Sequence, residues 1–445
     1  MAGDRLERTT FAKLISDGAL EIGDGYRAKN KELGGDGLVF LRAGHVTDTH
    51  IDFDGVERFH AELEPRVRSK LARPGDAVIT TKGNSTGRTT FVSPSMPPFV
   101  YSPHLSYWRS LDPNRIEGGF LRYWCRGSEF TTQLAGMKAS TDMAPYLSLV
   151  DQKRLEITLP PVREQRAIGH ILGSLDDKIE LNRRMNETLE AMVRALFKSW
   201  FVDFDPVRAK ADGRDPGLPK SLADLFPDSF EDSDLGEIPK GWAVSPLRDL
   251  AGYLSRGIGP AYVNVGGICV LNQKCVRDRR VDFSKARRHD LSKKSSEGRT
   301  LRVLDILVNS TGVGTLGRIA QLWDLPESAI VDSHVTVIRA AEGVDPLFLG
   351  IALIGREADV EALGEGSTGQ TELSRTRLGE LTCLAPPAEL QSSFGHLVGP
   401  VVSRLSANER VAITVAALRD TLLPKLISGE LRVNVGGPYV VEATR

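Results

Sequence analysis

The amino-acid sequence predicts an α+β protein: two globular domains in a pseudo-two-fold repeat, separated by a long antiparallel two-helix coiled coil. Three observations predict it. Two segments match each other at a fixed offset of 226 residues, without a gap, over some forty positions. Both segments place apolar residues in alternating steps of four and three, the seam pattern of paired helices. Each follows a long stretch in which strand and helix patterns mix.

The repeat is the primary signal. Pro160, Pro161, Glu164 and Gln165 fall on Pro386, Pro387, Leu390 and Gln391. Ile168, Leu172, Leu175, Ile179, Asn182, Leu189 and Leu196 fall on Phe394, Val398, Val401, Leu405, Asn408, Val415 and Leu422. Upstream the offset drifts to about 230, as loops of unequal length require: Phe40-Leu41 matches Val270-Leu271, Phe53 matches Phe283, Gly87-Arg88 matches Gly317-Arg318, His104 matches His334, and Ser140-Thr141 matches Ser367-Thr368.

The elements follow in chain order. The first domain spans 1–160, with a strand at Ala77–Thr81 and a helix at Arg115–Leu134. A spacer helix follows at 161–202; its core from Val162 to Phe201 would be ~60 Å long at ~1.5 Å per residue. Residues 203–240 form a linker with ten acidic and five basic residues, rich in Pro and Gly, read as a solvated connector with a short helical stretch at Ser221–Phe226. Trp242 opens the second domain, 241–386, with a strand at Asp305–Ser310 and a helix at Pro346–Leu363 that ends before Gly364. A second spacer helix spans 387–430, its seam running on from Val415 to Leu418 and Leu422, and a tail spans 431–445. Asn182 and Asn408 share one repeat position inside the apolar seam, where a buried amide costs stability but penalises a slipped register. The linker reaches far enough for parallel or antiparallel packing; pseudo-symmetry favours antiparallel.

Composition excludes several classes. The N-terminal segment has no apolar signal region and no run of eighteen apolar residues occurs, so no membrane association is expected. The four cysteines form no C-x-x-C pair, which suits a cytoplasmic location. Short catalytic motifs lack their context. Gly83 to Gly87 fits G-x-S-x-G around Ser85, but β-prone residues follow where a helix is needed. Gly312 to Gly317 fits G-x-G-x-x-G, yet its repeat partner is a glycine hairpin. Met96 to Phe99 resembles the x-P-P-[FY] loop of amino-methyltransferases, but Met cannot accept the amine's hydrogen bond. His45, Asp48, His50 and Asp52 fit no zinc spacing. No catalytic residue and no metal site are expected.

The formal net charge of −1 argues at first against a nucleic-acid partner. Its distribution argues the other way. From Asn272 to Arg302 eleven Lys and Arg face four Asp and Glu. Such an excess suits phosphate neutralisation. The candidate DNA contacts there are Lys274, Arg277, Arg279, Arg280, Arg287, Arg288, Lys293 and Lys294, with Arg318 beside the glycine turn. In the first domain they are Arg27, Lys29, Lys31 and Arg42, with Lys82 and Arg88 flanking the equivalent turn. Two non-identical basic units on one rod would read two different half-sites at fixed separation.

Five stretches carry a family resemblance: Leu159 to Ile168, Leu175 to Asn182, Leu196 to Val207, Gly236 to Trp242 and Leu423 to Leu431. Together they resemble the specificity subunit of bacterial type I restriction–modification enzymes over nearly the whole chain. The resemblance implies two target-recognition domains, each reading one half of a split double-stranded DNA site. It implies that the helices set the spacing and dock two methyltransferase subunits, which use S-adenosylmethionine to methylate adenine. Restriction subunits using ATP and Mg to translocate and cut DNA would complete the complex, and this chain would hold no cofactor. A related bipartite type II recognition subunit, a coiled-coil scaffold that never touches DNA, and a Ser85 hydrolase are the alternatives.

Overall fold

The computed structural model describes residues 6–47, 50–139, 146–365, 371–434 and 440–443. Asp48 and the repeat matches Ser140-Thr141 and Ser367-Thr368 lie outside the described residues. The chain forms two compact units, one from Met1–Leu181 with Ala412–Arg445, the other from Asn182–Val411.

The first unit holds a four-stranded antiparallel sheet ordered Leu20–Asp24, Leu105–Ser110, Ala77–Thr80, Thr89–Phe91. A second sheet pairs Val39–Leu41 in parallel with Phe99–Tyr101 and antiparallel with Glu57–Arg58. The second unit repeats this plan. Ala251–Arg256, Val335–Ala340, Ile306–Asn309 and Ile319–Gln321 form the four-stranded sheet. Ile268–Leu271 runs parallel to Ala329–Val331 and antiparallel to Arg287–His289. Each plan is closed by an antiparallel strand pair, Glu7–Thr10 with Glu156–Leu159 and Ala243–Pro246 with Thr382–Ala385. The central strands are buried throughout, which explains their β-branched and aromatic runs.

Two buried polar devices recur at the repeat offset. Asp76 is sealed from solvent and accepts from Arg109 Nε and Nη2 (2.6 and 2.7 Å). Asp305 accepts from Arg339 Nε and Nη2 (both 2.7 Å). In each case the second carboxylate oxygen also caps a turn, accepting from Arg73 N–H (2.9 Å) or Arg302 N–H (2.8 Å). A bidentate fork of this kind is strong because both partners are charged and aligned. The second device explains the Gln of the repeated double-proline motif. Gln165 donates to Pro160 O (2.8 Å) and accepts from Glu117 N–H (2.8 Å). Gln391 donates to Pro386 O (2.7 Å) and accepts from Asp345 N–H (3.2 Å).

The long helices span Val162–Phe201 and Ala388–Ser428. Within each unit they pack antiparallel. In the first, Glu164 meets Arg432 (2.7 Å) while Asp176 meets Arg419 (2.7 Å). In the second, Asn186 meets Asn408 (2.8 Å) while Phe197 meets Phe394 at 5.8 Å between ring centroids. Every seam position read from the first helix is buried or half-buried.

Four expectations differ from what is found. The helix expected over Arg115–Leu134 is two, Gly118–Trp124 and Ser128–Ala139, broken before Gly127, where a Cβ would stand 2.7 Å from Ile427. The helix expected over Pro346–Leu363 is also two, Pro346–Ile354 and Glu357–Ala362. The connector is not merely solvated. It folds into Asp205–Ala211, Lys220–Ala223 and a hairpin of Phe230–Ser233 with Gly236–Pro239. Phe204, Val207, Phe226 and Ile238 bury against Trp200, Phe201 and Phe394, an apolar load that its acidic composition masked. Finally, Leu418 is 48% exposed; Leu423 and Leu426 fill the core instead. The tail is likewise folded in part: Leu431–Asn434 pairs with Val440–Ala443, and Val433 joins the first unit's core.

Candidate nucleic-acid interface

In the first unit the chain leaves strand Leu20–Asp24 through Gly25, whose Cβ would lie 2.1 Å from Ser102 O. Only glycine permits this approach. It sets Arg27 beside the ends of Val39–Leu41 and Phe99–Tyr101. There a groove of about 470 Å³ is lined by Arg27, Asn30, Phe40, Arg42, Lys82, Ser102, His104 and Tyr146, among others. Three of the six basic residues expected in this unit thus converge. Arg42 lies 5.1 Å above the Phe40 ring and pairs with Glu57 (2.5 Å), which holds its guanidinium in place. Among the described residues Ser102 Oγ, which lines the groove, is buried with no hydrogen-bond partner. Lys29, Lys31 and Arg88 are exposed but do not line the groove.

The second unit keeps the frame and changes the chemistry. Gly257 repeats the close approach, its Cβ 2.0 Å from Val331 O. Arg27, Arg42, Lys82, Ser102 and Tyr146 correspond to Gly259, Asn272, Thr311, Asp332 and Glu372; the bridges Lys82 to Tyr146 and Thr311 to Glu372 occupy the same place. His104 corresponds to His334, which bonds Thr311 Oγ1 (2.7 Å). Burial raises the Asp332 carboxyl above the ordinary value, against a hydrogen bond from His334 N–H. Three cations are therefore replaced by neutral groups, and two neutral groups by acids.

The basic residues expected here fall into two sets. Lys274, Arg277, Arg279, Arg287 and Lys293 are exposed. Arg287 lies 3.4 Å from the Tyr262 ring centroid, a cation–π seat. Lys294 donates to Gly259 O (2.8 Å), and Arg318 is half-buried. Arg288 and Arg280 point to protein instead. Arg288 forks onto Glu327 (2.5 and 2.9 Å). Arg280 is held by Glu190 and Glu409, so it is not a free phosphate contact as the charge count suggested.

The Asn register also resolves differently. Asn408 donates to Asn186 Oδ1, and Asn186 donates to Leu405 O (3.2 Å). Asn182 is buried, but among the described residues its Nδ2 has no partner. The offset carries Asn186 onto Ala412, so the sequence supplies one such pair rather than two.

The catalytic motifs become hairpins. Gly83 to Gly87 joins Ala77–Thr80 to antiparallel Thr89–Phe91, and Gly312 to Gly317 joins Ile306–Asn309 to antiparallel Ile319–Gln321. Neither leads into a helix, which the elbow and the dinucleotide turn both require. Burial pushes the Cys125 thiol up to about 12 and Cys275 up to about 11, the wrong direction for nucleophiles. Among the described residues no three His, Cys, Asp or Glu gather as a metal site, and no helix is long and apolar enough to cross a membrane.

The type I restriction modification DNA specificity domain matches residues 35–191. The specificity subunit of the type I restriction enzyme HindI from Haemophilus influenzae is 24% identical over 452 residues, covering 88% of this chain and 94% of that one. The chain is thus similar to type I specificity subunits along most of its length. The MjaIX specificity subunit of Methanocaldococcus jannaschii is 25% identical over 312 residues, covering 65% of this chain and 63% of its own. The crystal structure of the type I restriction-modification S subunit from M. genitalium shares the fold, with a TM-score of 0.61 at 14% identity over 96% of this chain and 97% of that one. The matched span takes in the whole first groove except Arg27, Ala28 and Asn30, and most of the first long helix.

Proposed function

We propose that this chain is the DNA-reading subunit of a type I restriction–modification complex, recognising a bipartite site with one unit per half. One observation carries the reading: the same backbone frame is built twice, with unlike side chains at the equivalent place, Arg27, Arg42 and Lys82 in one unit and Gly259, Asn272 and Thr311 in the other. A duplicated scaffold with unlike side chains suits two unlike half-sites. Arg and Lys in the first groove suit guanine edges and phosphates, whereas the different set at the same place in the second unit suits a different base set. Adenine methylation with S-adenosylmethionine, and cleavage with ATP and Mg, would belong to methyltransferase and restriction subunits docked on it. The helix pair would hold the two readers in register.

The test is to co-express the chain with its methyltransferase subunits and sequence the methylated adenines. A two-part motif with a fixed gap is the expected result. A continuous motif, or no methylation beside normal assembly, would overturn the reading. Inserting four residues into the first long helix after Leu181, where the share of one unit ends and that of the other begins, should change the gap and leave both halves intact.

A further inference from the structure

The basic segment of the second unit begins with a tight hairpin, Val276–Arg277 paired with Arg280–Val281. Its two turn residues, Asp278 and Arg279, both hold positive φ (52° and 61°), a conformation L side chains rarely adopt without support. The support comes from both flanks. On one side Val276 is fully buried, and Asn309, also fully buried, donates Nδ2 to Gln273 O (3.0 Å) and Val276 O (3.4 Å). On the other side Arg280 is bracketed by the carboxylates of Glu190 and Glu409, one from each long helix. Arg277 is exposed at the tip, and Arg279, half of its side chain in solvent, lies 3.9 Å from Glu357.

We propose that Arg280 is a positioning residue for DNA recognition, seating the hairpin that carries Arg277 and Arg279 on the helix pair. A guanidinium between two carboxylates is directional, because its donors lie in one fixed plane. The hairpin's place is thereby tied to the helices rather than to its own sheet alone. The device belongs to one half only: the repeat carries Arg280 onto His50, Glu190 onto Ala416 and Glu409 back onto Arg183, where no carboxylate stands. This inference rests on the DNA-reading function proposed above.

The experiment uses the full chain assembled with its methyltransferase subunits, with methylated adenines sequenced genome-wide. Arg280→Met and the double variant Glu190→Gln with Glu409→Gln remove the clamp from either side. Lys82→Ala marks which half-site the first unit reads. Both clamp variants should relax the other half-site, lowering discrimination at one or more of its bases by about tenfold. The half-site marked by Lys82 should keep its specificity, and Arg280→Lys should recover part of the loss. An unchanged motif in Arg280→Met would overturn the positioning role. Equal loss at both halves with a lower melting temperature would overturn it too, since that is what general destabilisation gives. A wild-type complex without a two-part motif would instead overturn the DNA reading itself.

Discussion

Asp176 and Val402 stand at the same place in the repeat, and they have nothing chemical in common. In the first unit Asp176 accepts from Arg419 (2.7 Å), Tyr123 (2.8 Å) and Arg122 (3.0 Å), with Arg126 at 3.8 Å. The offset carries Arg419 back onto Val193, and the helix caps Glu117 and Asp345 align Tyr123 with Ile351 and Arg126 with Ile354. In the second unit these aliphatic residues line an apolar cavity of about 640 Å³. Elsewhere the halves share one fork, Asp76 with Arg109 and Asp305 with Arg339, although only Asp76 also accepts from a tyrosine, Tyr101 (2.9 Å). The difference teaches where the fold is specified. Bidentate pairs under the central sheets hold the frame, while the helix faces accept a complete exchange of polar for apolar packing.

The largest effect should come from breaking what the halves share. Asp76→Ala strands the buried Arg109 and should cost about 3–5 kcal/mol in denaturant unfolding. Asp305→Ala strands Arg339, which is half-buried and can reach water, and should cost less; an equal or larger loss there would mean that burial of the arginine does not set the weight of the device.

Next comes the device that only one half has. Asp176→Asn should cost about 2 kcal/mol at neutral pH. Burial opposes the Asp176 carboxylate, but hydrogen bonds from Arg419 and Tyr123 outweigh it and hold the group below its ordinary 3.8. The unfolded chain therefore takes up this proton first as the pH falls. The stabilisation is complete above about 3.8 and is lost as the pH drops through that value and the lower folded one. The gap between Asn variant and wild type should close across that acid window; a gap that widens there would contradict the sign.

Gln165→Ala and Gln391→Ala should cost about 1–2 kcal/mol each, from one N–H and one carbonyl left unpaired in each half. The smallest stability effect belongs to the groove. Arg27→Ala and Lys82→Ala should stay within about 0.5 kcal/mol of wild type. They should nonetheless weaken DNA binding and reduce the salt slope by about one for each phosphate no longer neutralised. An unaltered slope in both would take phosphates away from this groove.

The sequence made the repeat and the helices legible because both rest on periodicity. The apolar steps run from Ile168 to Leu196 through one helix, Val162–Phe201, and the glycine turns announced two hairpins. Convergence was less legible. Arg27, Arg42 and Lys82 are far apart in the chain and meet only because Gly25 lets two strands approach. Arg280 looked like its neighbours in a charge count; its carboxylate partners are 90 and 129 residues away. Asn186 was on the seam, but pairing across antiparallel helices is not set by repeat equivalence, so its bond to Asn408 could not be read from the offset. The connector's packing is hidden in its composition because few aromatic residues, Phe204 and Phe226 among them, outweigh many exposed acids once they find Trp200.

The first unit draws Leu423, Leu426, Ile427 and Val433 into the same core as Phe11 and Trp108. The second unit is one unbroken stretch, Asn182–Val411. During synthesis, which proceeds from the N-terminus, the second unit therefore has all its parts before the first does. Residues 1–181 emerge first yet must wait, with an apolar face uncovered, for a segment made more than two hundred residues later. The half that starts first closes last, and a released chain truncated after Val411 would carry every residue of the second unit and only part of the first.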